Sequence, residues 1–353
     1  MAKGEPAQLS TLDRQIVACL QTNGRASWSA IAAVTGVSET TVARRAQQMT
    51  DAGIMRTVGV LDAFRAGLGM PMLVRIGCAP GLADSVSAAI AARGDVRTVT
   101  MVTGVADCVA EFIVADRAAL HRLLVQELPA VDGVRSNDSL VVLRTFRSSP
   151  QWDPQFLDRE SIAQLRPQEP PPFEDGTATA TAELDDVDRA IATAVGEDGR
   201  MPYRDLAARA GVSETTAARR LESLVGCGCL HFRTLVDPRL LGYGTEAMLW
   251  LTVDARYLDR VGRRLAAEPS VRYLVATAGS YHLAARVALA QHQDLYELLT
   301  EKIGPLPGVR DVDVTFELQT LKRSWVAGTD TLPAGRPAEP RTGRGAQAAA
   351  AAV

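Results

Sequence analysis

Two short stretches of the chain place a hydroxyl side chain and two arginines on one face of a helix. In the first stretch Thr41, Arg44 and Arg45 recur at i, i+3 and i+4, and Gln48 extends the row to i+7. The second stretch repeats the row with the residues Thr216, Arg219, Arg220 and Ser223. A guanidinium donates paired hydrogen bonds to a phosphate or to the edge of guanine, and a hydroxyl contacts either. A helix with these groups on one face therefore suits the major groove of DNA.

The hydrophobic pattern predicts three helices in the about fifty residues that contain each stretch, and the polar row lies on the third of them. Val42, Ala46 and Met49 form the apolar inner face of the third helix. The preceding 36–38 segment, Gly-Val-Ser, supplies a tight turn, an apolar plug and an N-cap hydroxyl. Helix, short glycine turn and helix form the helix-turn-helix pattern. We predict DNA contacts from Ser38, Thr40, Thr41, Arg44, Arg45 and Gln48 in the first module, and from Ser213, Thr215, Thr216, Arg219 and Arg220 in the second.

An internal repeat organises the whole chain. The segment Gly-Val-Ser-Glu-Thr-Thr occurs at 36–41 and at 211–216, an offset of 175 residues. The same offset aligns Gly24-Arg25 with Gly199-Arg200, and Gly104 with Gly279. Landmarks that stay in register over such a length indicate two copies of one unit of domain size, at 9–150 and 184–325.

Each unit is predicted to have two domains. The helix-turn-helix modules cover 9–62 and 184–237, and the strand–helix order βαββαβ follows at 68–150 and 243–326. We read 151–183 as a partly extended linker, because it is rich in Pro and Thr-Ala repeats, and 327–353 as a disordered tail. The predicted fold class is α+β: a winged helix-turn-helix plus a ferredoxin-like domain, twice. A ferredoxin-like sheet has one uncovered face, so we expect the two units to cover each other as an intramolecular pseudo-twofold pair.

These motifs resemble the Lrp/AsnC, or feast/famine, transcriptional regulators. The resemblance rests on Leu12-Asp13-Arg14, on Gly24-Arg25, on the turn at 36–38, on Arg44-Arg45 and on the turn at 103–107. It covers both units, whereas the usual family member is a single unit that dimerises. The chain therefore resembles a tandem fusion of two members. The resemblance implies that an amino acid or a related metabolite binds where the two effector sheets meet, around the turn with the pattern Gly-x-x-Asp.

Carried over residue by residue, the resemblance assigns effector binding to Thr103, Gly104 and Asp107 in the first unit and to Gly279, Tyr281 and His282 in the second. A carboxylate beside glycine N–H groups suits the ammonium and the carboxylate of an amino acid. The second unit has His282 where the first has Asp107. We expect two unequal effector sites, with neutral drift of a loop as the alternative.

The distribution of charge indicates which of the two modules binds DNA more strongly. The whole chain carries a net charge of −3 with a pI near 5.9, which taken alone argues against a nucleic-acid partner. The first module, over 9–60, has five arginines against three acidic residues, whereas the second, over 184–235, has seven against eight. We therefore expect the first module to bind DNA more strongly.

Several other classes of protein are disfavoured. No apolar run approaches the ~18 residues that cross a bilayer, and the N-terminus has no signal-peptide pattern. Five cysteines give no disulfide framework, so we expect a cytoplasmic, nucleoid-associated protein. No spacing of residues indicates a metal site, a cofactor or a catalytic group. The expected partners are double-stranded DNA, a small effector and further copies of the chain, and no membrane.

Two alternative functions stay open. Siroheme decarboxylases are also built from two Lrp-like halves, and an enzyme of that kind would use His282, Arg286 and Tyr281. The second alternative is a ligand-binding module that has lost DNA binding. The retained polar and arginine face of the third helix favours a regulator over both, because neither alternative needs that face.

Overall fold

The computed structural model describes residues 9–148, 152, 155–166, 184–323 and 326–327. The predicted tail lies outside this part except for Ala327, and the predicted linker lies outside it except for residue 152 and 155–166.

The first helix-turn-helix module contains α1 (Thr11–Thr22), α2 (Trp28–Thr35) and α3 (Glu39–Asp51). A serine caps each helix, because the hydroxyls of Ser10, Ser27 and Ser38 accept a hydrogen bond from a backbone N–H of the first turn. Gly36 ends α2 with φ of 71°, a left-handed conformation that favours glycine. The second module repeats the arrangement with α7 (Asp186–Glu197), α8 (Tyr203–Ala210) and α9 (Glu214–Gly226).

The strand that leaves each module pairs with its counterpart rather than folding into a hairpin of its own. Strands β1 (Met55–Leu61) and β6 (Leu230–Val236) form a two-stranded antiparallel ribbon. Val58 lies opposite Arg233, and these two positions are equivalent under the 175-residue offset. The pseudo-twofold axis therefore passes through this pair of residues.

Two equivalent arginines join the modules beside the ribbon. Arg25 donates to the carbonyl oxygens of Gly199 and Met201 at 2.9 and 3.2 Å, and its Cζ lies 5.0 Å from the ring centre of Tyr203. Arg200 donates to the carbonyls of Gly24 and Ala26 at 2.8 and 3.0 Å. Its Cζ lies 3.9 Å from the ring centre of Trp28. We call this exchange the arginine clasp. The two helix-turn-helix modules are thus one body.

The effector domains share one closed antiparallel sheet. The first unit contributes β2 (Met70–Cys78), β3 (Val96–Val102), β4 (Cys108–Val114) and β5 (Val134–Arg147), and the second contributes β7 (Thr245–Val253), β8 (Val271–Ala278), β9 (Leu283–Leu289) and β10 (Val309–Arg323). The ring order is β10-β3-β4-β2-β5-β8-β9-β7, with β7 returning to β10. A short strand, β11 (Val326–Ala327), adds to β10.

The long strands β5 and β10 close the sheet because each pairs with both units. The first part of β5 pairs with β2 and its last residues pair with β8 of the other unit. Likewise β10 pairs first with β7 and then with β3. This exchange satisfies the sheet edges that a lone unit would expose. The sequence predicts that each unit covers the exposed sheet of the other. The units do so in two ways, by sharing the strands β5 and β10 and by packing side chains against each other inside the sheet.

Helices pack on the outer face of the closed sheet. The first unit has α4 (Ala83–Ala91) and α5 (Arg117–His121), the latter continued by a π-helical turn at Arg122–Glu127. The second has α10 (Leu258–Ala266) and α11 (Asp294–Glu297), continued at Leu298–Ile303. Separate apolar cores lie beneath each helix pair, and a further one, which includes Leu73, Leu140 and Trp250, fills the interior between the units.

Part of the predicted linker is a structured support for the first module. Residues Arg159–Leu165 form α6, and the carbonyl of Leu165 accepts a hydrogen bond from Asn23 at 3.0 Å. Trp152 is buried in the core of the first module, and its ring nitrogen donates to the carbonyl of Pro269 at 2.9 Å. Trp152 therefore ties the first DNA module to the second effector domain.

Gly199 is held against the ribbon, and its replacement tests how strongly the modules depend on that contact. Its N–H donates to the carbonyl of Thr57 at 2.8 Å, and a Cβ added at Gly199 would lie 2.9 Å from the backbone of Thr57. We expect Gly199→Ala to lower the free energy of unfolding by about 1–3 kcal/mol, the usual cost of overpacking. Urea denaturation followed by circular dichroism measures this change.

The matched control is Gly226→Ala at the end of α9, where an added Cβ meets open space. We expect this control to be neutral or mildly stabilising, since alanine restricts the unfolded chain more than glycine does. Equal denaturation midpoints for the two variants would contradict the close packing of Gly199 on the ribbon.

Candidate functional site: the recognition helices and the effector turns

The polar face of α3 is open to solvent. Thr40, Arg44 and Gln48 are exposed, and the Arg44 guanidinium lies 3.4 Å from the amide oxygen of Gln48. On α9 the equivalent exposed residues are Thr215, Arg219 and Ser223. Their exposure fits the polar outer face of a helix that could enter a groove of DNA, and contact with DNA stays a prediction.

The second arginine of each pair has a structural partner. Arg45 makes an ion pair with Asp13 of α1 at 3.5 Å. Arg220 pairs with Asp185 at 2.8 Å and with Asp188 at 3.3 Å. Both arginine side chains remain about 40% exposed, at 41% and 38%. These arginines fix the third helix against the first, whereas Arg44 and Arg219 project from the outer faces of α3 and α9.

Some of the hydroxyl groups predicted to contact DNA also have partners within their own module. Ser38 and Ser213 cap their helices, and each hydroxyl also lies within 3 Å of a threonine hydroxyl, at 2.9 Å from that of Thr41 and 2.8 Å from that of Thr216. Thr41 and Thr216 are half-buried. These pairs shape the start of α3 and of α9, and the N-terminus of a helix carries backbone N–H groups and a positive dipole end.

The first effector turn packs on the crossing strand of the other unit. The backbone N–H of Thr103 donates to the carbonyl of Phe316 at 3.0 Å, and the Thr103 hydroxyl accepts from the N–H of Phe316 at 3.0 Å. Gly104 and Val105 are exposed. The predicted residues of this turn therefore lie where β10 crosses between the units.

The second effector turn makes the reciprocal approach to β5. The hydroxyl of Ser280 donates to Asp138 at 2.8 Å, and a Cβ on Gly279 would lie 3.0 Å from the carbonyl oxygen of Ser139. The hydroxyl of Tyr281 donates to Asp313 at 3.0 Å. Burial raises the pKa of Tyr281, so its phenol remains a neutral donor. Both turns thus lie at the interface of the units.

Asp107 and His282 perform the same structural task with different chemistry. A carboxylate oxygen of Asp107 accepts a hydrogen bond from the N–H of Cys78 at 2.7 Å. Nδ1 of His282 accepts from the N–H of Val253, the equivalent residue, at 3.0 Å. The histidine therefore preserves the backbone contact while removing a negative charge from the second turn.

Arg75 is a member of the site that the sequence reasoning missed. Its guanidinium donates to Asp313 at 2.8 Å, and its Cζ lies 4.9 Å from the ring centres of both Trp250 and Tyr281. Arg75 and Trp250 are equivalent under the 175-residue offset. A cation and an aromatic ring at equivalent positions near a twofold axis are the signal that would have revealed this contact.

Removing the side-chain acceptor at 282 tests its structural role. We expect His282→Ala to lower the free energy of unfolding by about 1–3 kcal/mol, because the N–H of Val253 would lose its partner. His282→Asp restores an acceptor of the kind found in the first unit, so we expect a smaller loss. The difference in urea midpoints between the two variants is the measurement, and an equal loss in both would contradict this role.

Two kinds of feature were not found among the described residues. No group of three or more His, Cys, Asp and Glu side chains among them could hold a metal ion. In the same part of the chain, no helix is both long and apolar enough to span a membrane. Arg286, considered above for an enzyme, forms an ion pair with Glu317 inside the closed sheet.

Comparison with known proteins matches both halves of both units. The AsnC-type helix-turn-helix domain matches residues 9–50 and 184–225, and the Lrp/AsnC ligand binding domain matches 72–152 and 246–326. The HTH-type transcriptional regulator FL11 of Pyrococcus horikoshii is 28% identical over 142 residues, which are 40% of this chain and 93% of FL11. The uncharacterised HTH-type transcriptional regulator PH0140 of the same organism is 30% identical over 142 residues, 40% of this chain and 89% of PH0140.

A solved structure matches the tandem arrangement as a whole. The siroheme decarboxylase NirDL superposes with a TM-score of 0.58 at 16% identity, covering 90% of this chain and 94% of that one. This likeness shows a common fold. The domains and the sequence relatives, taken together, show that the chain belongs to the Lrp/AsnC family of transcriptional regulators, with the helix-turn-helix and ligand-binding domains each present twice.

Proposed function

We propose that one chain acts as a complete DNA-binding regulator, with two recognition helices on one body and a small effector bound at the turns between its units. The carrying observation is the arginine clasp together with the β1–β6 ribbon, which join the two modules. Two helices held in this way suit two half-sites about one helical turn apart, or a multiple of that distance. The DNA contacts proposed are those of α3 and α9.

The half-sites are expected to differ. Gln48 of α3 is replaced by Ser223 on α9, and Gln47 by Glu222. An amide can make a bidentate contact to adenine, whereas a carboxylate favours cytosine and repels phosphate. The preferred operator is therefore an imperfect palindrome in which the two halves have different sequences.

An amino acid or a related metabolite is the proposed effector. Each turn carries an exposed glycine and contacts the opposite unit: the first turn meets the side chain of Thr315 and the backbone of Phe316, and the second meets Asp138 through Ser280. A ligand bound there would contact both units and so stabilise one arrangement of the pair. We place the protein in the cytoplasm, on the nucleoid, as a homo-oligomer of pseudo-dimeric chains.

The exposed arginines provide the test of DNA binding. We expect Arg44→Ala to weaken binding to the upstream region of the protein's own gene about ten-fold or more, since a bidentate contact contributes ~1–3 kcal/mol. We expect a smaller loss for Arg219→Ala, because the second module carries more acidic residues. Fluorescence anisotropy over a range of salt concentrations gives the affinity and the number of phosphate contacts.

Arg204→Ala is the matched control for these variants. Arg204 lies on α8 of the second module, its side chain is 82% exposed, and it pairs with the neighbouring Asp205. This variant should bind DNA as the unaltered chain does. Wild-type affinity in the Arg44 and Arg219 variants would refute the assignment of the interface, and a larger loss at Arg219 would refute the ranking by charge.

Calorimetric titration of the full chain with single amino acids tests the effector sites. Because Asp107 is a carboxylate and His282 is not, we expect unequal sites, with the first favouring a ligand ammonium. Asp107→Asn should then weaken the tighter site about ten-fold or more, as the loss of a charge-assisted contact does. Two equal and independent sites in the unaltered chain would contradict the proposed inequality.

A further inference from the structure

Arginines line the outer face of α10 in the second effector domain. The inner face, with Val261 and Leu265 buried, holds the helix against the closed sheet. The outer face carries exposed residues at i, i+4, i+7 and i+8, which is the spacing of one side of a helix. These residues are Arg256 on the turn before the helix, Arg260, Arg263 and Arg264. We call them the arginine row, and they concentrate positive charge on one surface of a chain whose net charge is −3.

One carboxylate lies among these arginines. Asp259 is the acidic residue of α10, and it accepts from Arg263 at 2.9 Å and from Arg144 of β5 at 2.8 Å. The side chains of Arg260 and Arg264 make no ion pair with any residue that the structure describes. Their guanidiniums are therefore available to an anionic partner, and forked N–H donors of this kind match the oxygens of a phosphate.

The arginine row is present in the second unit and absent from the first. At the equivalent positions the first unit has exposed residues without charge, namely Gly81, Ser85, Ala88 and Ala89. The inner face of α4 is nevertheless built in the same way, with Val86 and Ile90 buried at the positions of Val261 and Leu265. The fold therefore does not require the arginines, which are placed for a contact outside it.

The chemistry of this surface fits the backbone of DNA better than the surface of another protein. None of the large apolar side chains exposed in the described part of the chain lies on α10. Protein–protein interfaces have an apolar core, whereas interfaces with DNA are polar and strongly positive. At the rise of an α-helix the row is about 12 Å long, enough to face about three successive phosphates of one strand.

The C-terminal end of α10 lies beside the first DNA module. The carbonyls of Ala266 and Glu268 accept hydrogen bonds from Arg147 at 3.0 and 2.8 Å, and the next carbonyl, of Pro269, accepts from Trp152 at 2.9 Å. Trp152 is itself buried in the core of the first module. DNA that extends beyond the first module can therefore meet the arginine row by bending toward the second effector domain.

We propose that the arginine row binds the phosphate backbone of DNA that flanks the operator, as a third contact beside α3 and α9. This inference rests on the proposed function, because the two recognition helices must hold the operator. Contacts to phosphate carry no base sequence, so the row adds affinity without lengthening the recognised site. Since one unit carries the row, it binds one flank of the operator.

Two duplexes from the upstream region of the protein's own gene test the proposal with the full chain. Footprinting locates the two half-sites; the short duplex contains these alone, and the long one adds about three helical turns on each side. We expect the unaltered chain to bind the long duplex about ten-fold more tightly in fluorescence anisotropy at low salt. The double variant Arg260→Ser with Arg264→Ala installs the residues of the first unit, and it should lose this gain while binding the short duplex normally.

The matched control is the double variant Arg117→Ala with Arg122→Ala in the first effector domain. Both arginines are exposed, and neither makes an ion pair with a described residue, so the control removes the same charge from another surface. The control should keep the gain in affinity with length. The salt dependence of binding to the long duplex should fall by about two phosphate contacts in the α10 variant and stay unchanged in the control.

Failure of this inference and failure of the proposed function give different results. Equal affinity of the unaltered chain for the two duplexes would overturn the inference, and so would an equal loss of the gain in both double variants. In either case the proposed function stands if Arg44→Ala still weakens binding to the short duplex. Binding of neither duplex by the unaltered chain would overturn the proposed function and this inference with it.

Discussion

The pairing of β1 with β6 is the constraint on which the rest of the molecule depends. These strands are 175 residues apart in sequence, yet they pair residue by residue about Val58 and Arg233. The pairing sets the two helix-turn-helix modules on either side of an axis, and the arginine clasp holds them there through backbone carbonyls. Because carbonyl acceptors do not depend on side-chain identity, the clasp tolerates divergence of the sequences around it. The recognition faces of α3 and α9 were thus free to change while their relative position stayed fixed.

Fusion of two units also changes what is possible near the axis. In a pair of identical chains, equivalent positions carry identical side chains, and a charge near the axis meets a like charge. Here Arg75 contacts Trp250, and Glu111 of the first unit corresponds to Arg286 of the second. The contact of Arg75 with Trp250 stabilises the interior of the closed sheet, and Glu111 and Arg286 make ion pairs with Arg97 and Glu317 respectively. These differences place unlike groups at equivalent buried positions, where like charges would be costly. They also make the two halves of the molecule inequivalent. The replacement of Asp107 by His282 is another such difference between equivalent positions.

Local sequence patterns predicted the elements well but not their long-range partners. Serine caps α1 to α3 and α9, glycine ends α2 and α8, and apolar inner faces mark the helices of both modules, because these signals act over a few residues. The order βαββαβ was also correct. The crossing of β5 and β10, the ion pair between Arg45 and Asp13, and the contacts of Arg25 were not predicted, because their partners are distant in sequence. The helix Arg159–Leu165 was missed in a segment whose composition suggested an extended linker. For the effector turns, the family resemblance predicted a position where the two sheets meet, but not the contacts with the opposite unit, which depend on strand pairing. Effector binding by their residues stays a prediction.

The covalent connection between the paired strands has a consequence for the cell. A regulator assembled from separate chains loses its paired form when its concentration falls below the dissociation constant of the dimer. In this protein the second module is present at a high effective concentration whatever the number of copies. Under the proposed function, a single chain would occupy its operator at low abundance without waiting for a partner. Because α3 and α9 lie on one chain, every molecule carries both of the different third helices.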